Sequence, residues 1–163
     1  MQKLPSFNEY LSTVEIIPQI NNGNTYSVKG VDIVKIASSL LNYMKNNGVK
    51  FEVDVHPKIE FHERSGSDKN SHPFFRRTGH YDPLVNTIIV FTDGRDIKDI
   101  LRSLAHELIH ADQHLNLGWD LLPAARGLNG EYSKEAEKIE GDAYRRGNLI
   151  FRKFEDAMRP NWE

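Results

Sequence analysis

The chain contains no cysteine. Disulfide cross-links and thiolate metal sites are therefore excluded, and any metal must be held by histidine and carboxylate. Net charge is equally scarce. The 21 lysines and arginines against 23 aspartates and glutamates leave −2 with neutral histidines, too little for a broad attraction to nucleic acid or an anionic membrane. There is no run of about 18 apolar residues that could span a bilayer. The opening stretch MQKLPSFNEYLSTVEIIPQI lacks the basic start and apolar core of a secretion signal. The expected location is the cytoplasm of the producing or host cell, or a virion, with exit by lysis or packaging. Internal repeats and low-complexity segments are also missing.

What is present is 163 residues, 27% charged and 39% hydrophobic, a balance typical of a soluble globular chain and a length suited to one domain over 1–163. The stretch that organises it is His106-Glu107-Leu108-Ile109-His110, inside DIKDILRSLAHELIHADQHLNL (96–117). Leu101, Leu104, Ala105, Leu108, Ile109 and Leu115 recur every three or four residues, which predicts one amphipathic helix. Histidines four apart stand one turn apart on the same face, so their imidazoles can converge on a single ion. Glu107, beside the first ligand, can hold a water that the ion activates. This is the HExxH arrangement of zinc hydrolases.

Ahead of that helix the periodicity changes repeatedly. A helix over 6–17 is expected, capped by Ser6 with Glu9 completing a capping box, and ended by Pro18 and NNGN. Residues 31–48 place Val31, Val34, Ile36, Leu40, Leu41 and Met44 on a helical stripe that packs behind a sheet. From 49 to 62 the period becomes two, predicting two strand segments or one strand kinked at Pro57, which favours an edge or a bulge. Residues 63–73 read as an exposed mobile loop. A turn at Asp82-Pro83 precedes a strand over 87–92, stopped by Asp93-Gly94, with Asp96 as N-cap of the motif helix. A strand leading straight into a metal-binding helix places a site where sheet edge and helix meet, open to a substrate strand.

After Gly118, the loop WDLLPAARGLNGEY with Trp119 and Pro123 is a candidate lid or wall. A second long helix is expected over 133–158, capped by Ser133 and ended by Pro160. Gly141 and Gly147 each cost such a helix about 1 kcal/mol relative to alanine, which suggests close approach to another backbone.

A catalytic zinc site takes three protein ligands and one open position. With two histidines on one helix, Glu137, Glu140 and Asp142 are candidates for the third ligand. Glu137 and Glu140 share a face, so spacing does not separate them; small residues beside Glu140, notably Ala143 and Gly147, favour it on packing grounds. Glu107 is the expected general base. Tyr144, Tyr132, His80 and Arg145 are eligible to stabilise an oxyanion, with Tyr144 carried as the catalytic candidate. Asp142 and Asp112 are candidates to orient the metal-bound imidazoles. His56, His62, His72, His80 and His114 lack ligand spacing, although His114 lies four residues beyond His110. The pairs Arg76-Arg77 and Arg145-Arg146 read as solvated charge rather than a nucleic-acid patch.

HELIH followed by a downstream helix bearing a glutamate resembles the gluzincin type of zincin metallopeptidase. More narrowly, RDIKDILRSLAHELIHADQ with EGDAYRRGNLIFRKFED resembles small proteins of tailed bacteriophages assigned as metallopeptidases, over about 78–156 of this chain. In those proteins a glutamate is followed by Ala-Tyr and then Gly-Asn. Glu140, Ala143, Tyr144, Gly147 and Asn148 match that pattern, which is the main support for Glu140. The resemblance implies a zinc hydrolase with His106, His110 and Glu140 on the metal. It also implies an α+β zincin-like domain: a small twisted sheet packed on the active-site helix, a second long C-terminal helix, and a catalytic half at about 78–158. The expected substrate is a protein or peptide. The alternatives are the peptide part of peptidoglycan, cut by a phage product, and a non-catalytic, zinc-stabilised structural or virion-associated domain.

Overall fold

The computed structural model describes residues 6–64, 78–123 and 133–162. Its helices are α1 (Phe7–Ser12), α2 (Ile33–Lys45), α3 (Ile97–Leu115) and α4 (Lys134–Trp162). Its strands are β1 (Ile20–Asn21), β2 (Ser27–Val28), β3 (Val31–Asp32), β4 (Lys58–His62), β5 (Gly79–Asp82) and β6 (Thr87–Phe91). The architecture is α+β. Four strands form one sheet in the order β1-β4-β6-β5, and β2 pairs with β3 in a separate hairpin. β1, β4 and β6 run parallel, while β5 is antiparallel to β6 and outermost.

One face of this sheet carries the core. Ile59 pairs with Ile88 and Phe61 with Val90, and all four side chains are fully buried. The alternate positions Glu60, His62 and Ile89 lie on the other face and are half-buried. On the core side, Ile100, Leu101, Leu104, Ala105, Leu108 and Ile109 of α3 are completely buried and join Ile33, Ile36, Ala37 and Leu40 of α2 in one cluster. Each leucine or isoleucine among them contributes about 1.5–3 kcal/mol by leaving water. α4 runs back along α3, so that Phe151 and Phe154 enter the same cluster while Lys98 meets Glu155 at 3.0 Å.

Local sequence explains most element boundaries. Ser6 and Glu9 form the reciprocal capping box of α1, with bonds of 3.2 and 3.1 Å. The helix is shorter than the periodicity predicts. The hydroxyls of Ser12 and Thr13 take the carbonyls of Glu9 and Tyr10, and the chain then extends until the Ile17 amide meets the buried Ser38 hydroxyl at 3.1 Å. Val31 is not helical either. It belongs to β3, because Asp32 accepts from the Lys35 amide and starts α2 one residue later.

The largest departure lies at 51–55. Val53–Val55 is a single 3-10 turn rather than strand, and Val53 is 80% exposed. Alternation alone made no strand there because the segment has no neighbour in the sheet order; its Val55 carbonyl is taken by the Asn86 side chain instead. Pro57 neither kinks a strand nor marks an edge: it precedes β4, an interior strand whose Lys58 amide already pairs with the Asn86 carbonyl.

α3 begins where expected, after Asp96, but the Asp96 carboxylate makes no cap bond and pairs with Lys29. Gly118, at φ +68, turns the chain just beyond the end of α3. α4 is capped by Ser133, whose hydroxyl accepts from the Ala136 amide at 3.1 Å. It continues through Pro160, which was expected to end it, to Trp162. Among the described residues no helix is long and apolar enough to cross a membrane. The loop expected over 63–73 lies almost wholly outside the described residues, as does the second half of the candidate lid.

Candidate metal centre

α4 comes against α3 where Gly147 meets the His106 backbone. A Cβ at Gly147 would stand 3.2 Å from His106 Cα and 3.3 Å from its nitrogen. Gly141, by contrast, faces open space, so only one of the two glycines marks a close approach. That contact brings the acidic face of α4 over the histidine face of α3. Glu140 places one carboxylate oxygen 3.3 Å from Nε2 of His106 and the other 3.3 Å from Nε2 of His110. Ligand atoms of the three residues all lie within 4.8 Å of one another.

Glu137, Asp142 and His114 do not join them. Glu137 is exposed, Asp142 turns to Gln113 and Arg146, and the His114 ring lies 6.2 Å from that of Tyr81. The three grouped side chains are graded in exposure, from 9% for His110 through 17% for His106 to 32% for Glu140, so the group opens to solvent on its α4 side.

Glu140 and the two histidines set one another's ionisation. Burial opposes ionisation of Glu140, yet hydrogen bonds from His106 and His110 outweigh it and hold the carboxyl far below the usual range. Burial would likewise lower His110. Its hydrogen bond with Glu140 and the charges of Glu107 and Glu140 prevail and raise it instead.

Glu107 is buried on the other flank of α3. Its Cγ is 3.5 Å from where a Cβ of Gly79 would be, and that same Cβ would strike the Ile89 carbonyl at 2.9 Å. Gly79 therefore lets the backbone of β5 come down beside Glu107, a role sequence reading did not assign. Glycine inside a strand is the available signal.

Tyr144 is 60% exposed, and its ring stands against that of His106 with centroids 4.4 Å apart. His80 is placed elsewhere. It pairs with Ile89, so alternation along β5 sends it to the sheet face opposite Gly79 and Tyr81, and its ring lies near Phe91. Arg145 points into solvent, with an ion pair to Asp142. Arg146 is not the solvated charge expected, for it bridges Asp142 and Asp112, each at 2.8 Å. Tyr132, His72, Arg76 and Arg77 lie outside the described residues.

A second missed residue is Gln113, which is fully buried and accepts from or donates to three partners around His110. Its place three residues after His110, on the same helix face, was the signal for it. The chain matches no family model, no curated protein and no solved structure.

The donors present fit a zinc-like ion. Two imidazole nitrogens and a carboxylate oxygen are a donor set that zinc takes, and the three ligand atoms lie within 4.8 Å of one another.

Proposed function

We propose that this chain is a zinc-dependent metallopeptidase. The observation that carries the reading is the Glu140 carboxylate lying between the Nε2 atoms of His106 and His110, with one oxygen 3.3 Å from each. These three residues would hold the ion. When bound, zinc supplies Lewis acidity, polarising a scissile carbonyl and bringing the ionisation of water towards neutral pH.

The rest is done by the chain's own groups. Glu107, next to His106 and beside Gly79, takes the proton from the attacking water and passes it to the leaving amine. Among the described residues β5 stands at one edge of the sheet, and an extended peptide added along it would carry the scissile bond past Glu107. Tyr144, standing against His106, is the candidate donor to the developing oxyanion. A purely structural zinc site would enlist four protein ligands. Among the described residues the group has three, with its carboxylate side exposed, and that favours catalysis.

The test is the Glu107→Gln variant. It should keep zinc and lose hydrolysis of protein substrates, and full activity in that variant would end the proposal. Trapping experiments with the inactive variant, on host lysate or on purified cell wall, distinguish protein from peptidoglycan peptide as substrate.

A further inference from the structure

His110 is set by a chain of buried polar contacts that runs across both helices. Its Nδ1 lies 2.8 Å from Oε1 of Gln113. The Gln113 amide nitrogen donates to the Ile139 carbonyl at 3.0 Å and to the Asp142 carboxylate at 2.9 Å. Both of those partners are acceptors only, so both amide hydrogens are committed and the amide cannot turn over. Its oxygen must then face His110, and an oxygen facing Nδ1 at that distance requires a hydrogen on Nδ1.

Asp142 is itself fixed. Arg146 donates to it through Nε and Nη2 and reaches Asp112 on α3 through Nη1. The orientation of Gln113 is therefore anchored on both helices rather than left to the imidazole.

A neutral imidazole has one ring proton and two acceptors compete for it. On Nε2 it would point at Glu140, 3.3 Å away, and would occupy the nitrogen that a metal needs. Two lone pairs would then confront each other across the buried 2.8 Å contact with Gln113. On Nδ1 the buried contact is satisfied, and the remaining lone pair faces the more exposed Glu140, which can yield.

We propose that Gln113 is a positioning residue: it holds the ring proton of His110 on Nδ1 and keeps the Nε2 lone pair facing Glu140, ready for a metal ion. The inference rests on the metal-binding reading for its purpose, but the proton's position is a property of the metal-free protein. Nitrogen-15 NMR of the histidine rings in the metal-free wild type, at a pH alkaline enough for neutral imidazole, reads it directly. The expected result is a proton on Nδ1 of His110. A proton on Nε2 overturns the proposal whether or not zinc binds.

Gln113→Leu should move the proton to Nε2 and weaken zinc, measured by chelator competition, by about 10–100-fold. Equal zinc affinity in wild type and Gln113→Leu would also overturn it. A wild type with the Nδ1 proton and no affinity for zinc refutes the metallopeptidase reading instead, and leaves the tautomer assignment standing.

Discussion

Gly147 of α4 lies against the backbone of His106, so close that a methyl group would sit 3.2 Å from His106 Cα. The helix carrying Glu140 can approach the histidines this closely because that position has no side chain.

Gly147→Ala and Gly141→Ala should therefore differ in sign. Alanine at 141 meets nothing within 4 Å and should stabilise the helix by about 1 kcal/mol. Alanine at 147 gains the same helix propensity but forces two backbones apart. An overpacking cost of about 1–3 kcal/mol should offset or exceed that gain. Urea unfolding of the two variants checks the order, and zinc affinity should fall only in Gly147→Ala.

The ligand set is tested by metal content. One zinc per chain is expected for the wild type, lost in His106→Ala and Glu140→Ala and retained in Glu137→Ala, whose side chain is exposed and outside the group. Zinc retained in Glu140→Ala would mean that another carboxylate serves.

Glu107→Gln should lower kcat by about 10²–10⁴-fold, the usual contribution of a positioned proton acceptor, with KM and zinc content little changed. A matching fall in zinc content would show that Glu107 serves the metal rather than the water.

Acid should weaken the fold through Asp93. Burial disfavours its ionised form, but hydrogen bonds from Arg64 outweigh this and hold the carboxyl below its ordinary value of 3.8. A depressed folded-state pKa gives stability that is fully present above the unfolded value and is lost as pH falls through the folded one. At neutral pH Asp93→Ala, which leaves Arg64 without this largely buried partner, should cost about 3–5 kcal/mol. That difference should shrink below pH 3.8, where wild-type Asp93 takes up its proton. Thermal unfolding as a function of pH measures both arms.

How much of this the sequence disclosed depended on whether the cause was local. The caps at Ser6 and Ser133, the limits of α3 and the shared face of His106 and His110 follow from neighbours within one or two turns, and all were legible. Residues 51–55 alternate as a strand should, yet strand formation needs a partner, and the sheet order gives them none. Spacing left Glu137 and Glu140 equal, because the choice is made by the contact of Gly147 with another helix. The two glycines of α4 look alike in sequence, and only the packing of α3 distinguishes them. Gln113 was readable as a neighbour of His110, but its partners on α4 were not.

Arg146 already joins Asp112 on α3 to Asp142 on α4, so the helices that carry the ligands are laced together without help from an ion. Stripping the protein with a chelator should leave its circular dichroism almost unchanged while abolishing turnover, and returning zinc should restore activity within the time of mixing. Folding and loading would then be separate properties, because the ion pairs of Arg146 hold the two helices in register with no ion between them.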